Sequence, residues 1–79
     1  MSPTILVKGK FRFFFNSREE SRMHVHVQSP DGVAKFWLEP IVALESYYDV
    51  SQRDLTTMMK IVEDNRDEFK MAWKNYFGK

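Results

Sequence analysis

The sequence predicts an α+β domain: an antiparallel sheet of four or five strands packed against one long or broken C-terminal helix. Two observations carry this. Up to about residue 48, short runs alternate apolar and polar positions between turn residues, whereas from Ser51 onward apolar residues recur at three- and four-residue intervals. Size bounds the answer further. A chain of 79 residues without cysteine is near the lower limit at which a core sustains itself without disulfides or metal, so one domain over 1–79 is expected.

The first element is Thr4 to Val7, a β-rich run stopped by Lys8-Gly9-Lys10. Phe11 to Asn16 follows, with Phe11, Phe13 and Phe15 on one face and Arg12, Phe14 and Asn16 on the other, and the two runs predict a hairpin. Ser17 to Arg22 is polar and charged and reads as a loop. From Met23 to Gln28, alternation sends Met23, Val25 and Val27 to one face and His24 and His26 to the other. Ser29-Pro30-Asp31-Gly32 supplies turn chemistry, with Pro30 presetting its φ, Asp31 able to bond nearby backbone and Gly32 tolerating positive φ. It should join the histidine strand to Val33–Leu38 in a second hairpin. Pro40 cannot donate to a ladder and should end that strand or lie at its edge. Ile41 to Tyr48 alternates loosely; a fifth strand is the first reading and a short helix the alternative.

Ser51-Gln52-Arg53-Asp54 resembles a capping box with Asp in the usual Glu place, and Val50 and Leu55 occupy hydrophobic-staple positions, so a helix starts here. Its stripe comprises Leu55, Met58, Met59, Val62, Phe69, Ala72, Trp73, Tyr76 and Phe77, with Gly78 as the stop. Leu55, Val62, Phe69 and Trp73 should cover the sheet, and Met58, Met59 and Met71 read as core filler. Asn65 and Arg66 interrupt the stripe. A continuous helix from Ser51 to Phe77 would run about 40 Å, against a radius of gyration of about 12 Å for a domain this size. Either it breaks near Asp64 to Arg66, which the polar gap favours, or its aromatic end projects onto a partner.

Composition excludes several functions. Without cysteine there is no disulfide, thiol nucleophile or thiolate zinc site. Met1-Ser2-Pro3-Thr4 lacks the basic-then-apolar plan of a signal peptide, and no apolar run approaches the ~20 residues of a membrane helix, so a cytoplasmic protein is expected. Twelve Lys and Arg against eleven Asp and Glu give a net charge of +1, too balanced for a strong nucleic-acid footprint.

His24 and His26 are the only histidines and form the obvious candidate site, since both titrate near neutrality and can bind metal or phosphate. Two imidazoles are not enough for zinc. Glu19, Glu20, Asp31 or Glu39 could complete a set, but no spacing selects one, so no metal or cofactor is expected. A ribonuclease would cast His24, His26, Arg12, Arg22 and Tyr47 as base, phosphate clamp and acid. Arg66, inside the apolar stripe, needs a partner; an ion pair with Glu39 or Glu45 is preferred to a ligand. With His24, His26 and Arg12 it completes the candidate polar site. Trp37, within Phe36-Trp37-Leu38, reads as core before binding groove.

Four stretches together, Phe11-Arg12-Phe13-Phe14-Phe15, His24-Val25-His26-Val27, Ala34-Lys35-Phe36-Trp37-Leu38-Glu39-Pro40 and Ile61-Val62-Glu63 through Trp73, Tyr76 and Phe77, resemble a small bacterial family of unknown function, numbered four-one-six-zero. The likeness runs over nearly the whole chain. It implies a strand-rich first half, a helical second half and genes often placed beside a small antitoxin-like partner, with no established enzyme activity. Two departures stand out: Arg22-Met23 replaces the family's usual Pro-Pro, and Asn65 stands where the family often has His. If that third histidine helped form a site, the site is altered here.

The reading is therefore an interaction domain in preference to an enzyme, with the enzyme question left open. It would act on a small protein partner or by self-association, as in a toxin-antitoxin-like pair, through Trp73, Tyr76 and Phe77 at the helix end. The competing class is an RNA-cleaving or metal-assisted enzyme on the histidine face, with nucleic acid the weaker choice of partner.

Overall fold

The computed structural model describes residues 4–16 and 22–78. Five strands, Thr4–Lys8 (β1), Phe11–Phe14 (β2), His24–Gln28 (β3), Val33–Trp37 (β4) and Ala43–Tyr48 (β5), precede two helices, Gln52–Asp64 (α1) and Arg66–Phe77 (α2). The strands pair in sequence order, each antiparallel to the next, so every connection is short. Residues 41–48 are thus mostly strand, not helix. Both edge strands carry an irregular register: Ile5 is the extra residue in β1 and Glu45 in β5. Such bulges blunt an edge against pairing with another sheet.

Alternation then divides the sheet. Phe13, Phe15, Val25, Val27, Phe36 and Leu38 are fully buried under the helices, which contribute Leu55, Met58, Val62, Phe69 and Trp73. The Phe13 and Phe69 rings stack 5.6 Å apart, tying the sheet's centre to α2. The four helix positions expected to cover the sheet do so. Met71 does not: it is 66% exposed, because α2 turns that position outward.

Local chemistry fixes the element ends. The Ser51 hydroxyl accepts from the Asp54 backbone N–H at 3.1 Å, while the Asp54 carboxylate pairs with Lys10 instead of reaching back to the cap. Val50 and Leu55 are both buried, as a staple requires. Asn65 ends α1: its side-chain Nδ2 donates to the Ile61 carbonyl at 2.9 Å, and its backbone leaves helical values at φ −114° and ψ 19°. A straight helix over Gln52 to Phe77 would be about 39 Å long, more than the 33 Å longest extent of the molecule. Breaking at Asn65 keeps both halves on the sheet. Gly78 closes α2 in the left-handed conformation.

The β3–β4 turn differs from expectation. The Ser29 hydroxyl organises it, accepting from the N–H groups of Asp31 and Gly32 at 3.3 and 3.1 Å. Gly32 does not have a positive φ. It is required by proximity: a Cβ there would lie 2.0 Å from the Tyr48 carbonyl oxygen and 2.4 Å from that of Asp49. β4 ends before Pro40, and the Glu39–Pro40 peptide is cis. No helix among the described residues is long and apolar enough to cross a membrane.

Candidate functional site

The face of β2–β4 turned away from the helices carries the candidate residues. Register places Phe14 opposite His26, His26 opposite Lys35, and His24 opposite Trp37. Their rings form a chain: Phe14 stacks on His26 at 5.4 Å, His26 meets His24 edge-on at 5.1 Å, and His24 meets Trp37 edge-on at 6.0 Å. Cations flank it. The Arg12 guanidinium lies 4.4 Å from the Phe14 centroid, Arg22 lies 4.1 Å and the Lys35 ammonium 5.0 Å from that of Trp37.

Hydrogen bonds hold the arginines in place. Arg12 donates from Nε to the Thr4 hydroxyl at 2.8 Å and from Nη1 to Gln28 Oε1 at 2.9 Å. Arg22 donates from Nε to the Glu39 carbonyl at 2.9 Å, with its guanidinium over the Trp37 ring. A groove of about 280 Å³ continues this face, bordered by His26, Val33, Lys35, Ser46 and Tyr48.

The two histidines share a face but not an environment. His26 is half-buried, whereas His24 is 1% exposed. Trp73 covers it at 5.0 Å between ring centroids, at the end of the sheet where the same indole meets Phe15 edge-on. His24 Nδ1 lies 2.8 Å from the Arg22 carbonyl; a carbonyl only accepts, so Nδ1 carries the proton. That bond fixes the tautomer and holds the ring against the start of β3.

The proposed ribonuclease cast is split. His24 is sealed from a substrate phosphate. Tyr47 lies opposite buried Ala34; it borders the groove beside His26 and also lines an apolar groove of about 270 Å³ between β5 and α1, with Phe36, Leu44, Leu55 and Met59. Among the described residues no cluster of three or more His, Asp or Glu could hold a metal ion. Glu19 and Glu20 lie outside the described residues. Glu39 accepts from the Met23 N–H at 3.4 Å.

Arg66 does not join the histidines. Its Nε donates to the Leu38 carbonyl at 2.8 Å and its Nη2 to the Pro40 carbonyl at 3.1 Å, so main-chain acceptors replace the expected ion pair with Glu39 or Glu45. The β4 strand ends in a way that leaves those carbonyls without ladder partners, and the planar guanidinium spans both.

Nor is the helix end a free aromatic patch. Trp73 is buried, and Phe77 is half-buried against Trp73 and Phe15 at 4.3 and 6.0 Å. Only Tyr76, 46% exposed, faces outward. The break at Asn65 folds this end back onto the sheet. Phe14, Lys35 and Trp37 join this face although the sequence does not single them out as site residues. Their signal was parity: Lys35 and Trp37 alternate with the buried Ala34, Phe36 and Leu38.

The family profile described as Domain of unknown function (DUF4160) matches residues 10–74. The chain belongs to this family. The match begins just before β2 and ends within α2, so the cation-flanked face of β2–β4, all of α1 and α2 through Lys74 lie within the DUF4160 unit. No curated protein and no solved structure matches the chain.

Proposed function

We propose that this domain is an interaction module, one half of a toxin-antitoxin-like pair, and that it holds a small protein partner against the outer face of its sheet. One observation carries the reading: the rings of Phe14, His26 and Trp37 lie half-buried on the sheet face opposite the helix-covered core, a face that α2 reaches through Trp73 at His24. Half-exposed aromatic rings gathered on one face mark a binding surface, and such rings anchor interfaces well. The site moves from the helix end to the sheet because Trp73 and Phe77 are committed to the domain's own core. The family resemblance supplies the partner's class, a small antitoxin-like protein encoded alongside. The bulges in β1 and β5 argue against self-association by edge pairing.

Co-purification of the domain with the protein encoded beside it tests the reading. A stable heteromer, weakened by Phe14→Ala or Trp37→Ala in variants that stay folded, is the expected result. A monomeric domain that captures no such protein and instead cleaves RNA, with cleavage lost in His26→Ala, would overturn it.

A further inference from the structure

We infer that α2 exchanges between two copies of this chain: each straightens at Asn65, lifts α2 from its own sheet and seats it on the sheet of the other. This goes beyond the sheet-face reading and does not depend on it. The hinge is one residue. Asn65 alone separates α1 from α2, with φ −114° and ψ 19°, about 50° and 60° away from the ordinary helical values of about −63° and −42°. On either side the ladder is already helical, since the Asn65 N–H donates to the Ile61 carbonyl at 3.0 Å and the Phe69 N–H to the Asn65 carbonyl at 2.9 Å. Rotation at this residue therefore turns two helices into one.

Geometry then names the occupant. A straight helix would run about 39 Å, beyond the 33 Å longest extent of the molecule. The 12 residues of α2, about 18 Å, would project past the chain's own sheet and carry Phe69 and Trp73 into water. Burying them again requires a seat like the one they left. That seat is Phe13, on which Phe69 stacks at 5.6 Å, with Phe15 and His24, which Trp73 meets at 5.3 and 5.0 Å. A second copy that has straightened too offers the same seat, vacated. Among the described residues no backbone–backbone hydrogen bond joins α2 to the sheet, so only side-chain contacts must be remade, the Arg66 bonds to the Leu38 and Pro40 carbonyls among them. Exchange keeps these contacts and alters residue 65, which is why swapping an element is a low-cost route to a dimer. Charge opposes the straight form. One continuous helix would set Glu63 four residues before Asp67 and Asp64 four before Glu68, pairs of like sign on adjacent turns. With the helix broken, Asp67 and Glu68 occupy the first turn of α2, where its dipole favours acids.

Sedimentation of chains refolded from urea at millimolar concentration tests this. The wild type should yield a dimer. Asn65→Ala should tighten it about tenfold, because alanine favours a continuous helix and each dimer contains two such junctions, whereas Asn65→Gly should loosen it. Asp67→Asn combined with Glu68→Gln should tighten it as well, by removing the like-charge pairs. Isotope-filtered NOEs on a dimer mixed from labelled and unlabelled wild-type chains identify the exchange, since the contacts between the Phe13 and Phe69 rings should then run from one chain to the other. The inference is overturned if the wild type and Asn65→Ala both stay monomeric, if the alanine and glycine variants associate equally, or if Phe13 and Phe69 of the dimer meet only within one chain.

Discussion

Gly32→Ala should be among the most damaging single-methyl additions this domain can receive. The added Cβ would sit 2.0 Å from the Tyr48 carbonyl oxygen and 2.4 Å from that of Asp49, where real Cβ atoms essentially never come within 3.0 Å. Backbone must therefore separate by at least 1 Å. Both flanks resist, because Ser29 Oγ binds the Gly32 N–H on one side and β5 pairs Tyr48 with Val33 on the other. Overpacking of this kind costs about 3 kcal/mol or more. A domain of this size has about 4–12 kcal/mol in total. Gly9→Ala is the control. Gly9 has φ +59° and open space around it, so alanine there meets only left-handed backbone strain, about 1–2 kcal/mol. Urea unfolding followed by Trp37 and Trp73 fluorescence separates the two. With a slope of about 1 kcal/mol/M, Gly32→Ala should lower the midpoint by about 3 M and Gly9→Ala by about half that. Equal losses, or a Gly32→Ala midpoint indistinguishable from wild type, would refute the close-approach argument and return the glycine to a role in turn conformation.

Three further outcomes are expected. Phe69→Ala and Trp73→Ala should each cost about 3–5 kcal/mol in the same urea assay, since both side chains are buried against the sheet, whereas Tyr76→Ala should stay within about 0.5 kcal/mol. Arg66→Lys should lose about 1 kcal/mol, because an ammonium cannot reproduce the fork that joins the Leu38 and Pro40 carbonyls; hydrogen exchange near the end of β4 should rise in parallel. Zinc titrated against imidazole NMR signals should show only weak association, as the described residues offer two imidazoles without a third ligand; submicromolar saturation abolished in both His24→Ala and His26→Ala would contradict this.

Much of the fold was legible because its signals are local. Period-two alternation placed Phe11, Phe13 and Phe15 on the covered face, and the Ser51 cap and the Asn65-Arg66 gap located the start and the break of the helical half. What escaped the reading depended on distant contacts. Local turn chemistry gives Gly32 a conformational role, because nothing in its neighbourhood discloses the carbonyls of Tyr48 and Asp49. A sequence names side chains and so suggests a carboxylate for Arg66, while its acceptors are main-chain oxygens just past the end of β4. Residue type alone places Met71 in the core, although α2 rotates it outward.

His24 and His26 show how one local rule leaves the function of two neighbours undecided. Alternation correctly assigns both imidazoles to one face, and no local rule distinguishes them further. The distinction comes from Asn65. By ending α1 there, the chain redirects α2 so that Trp73 returns to the sheet and covers His24, while His26 remains half-buried beside Phe14 and Lys35. The same redirection takes Trp73 and Phe77 out of the surface that a straight helix would have offered. A break in one helix thus withdraws one imidazole from solvent and commits Trp73 and Phe77 to the domain's own core, which is why the partner surface we propose lies on the sheet and not at the helix end.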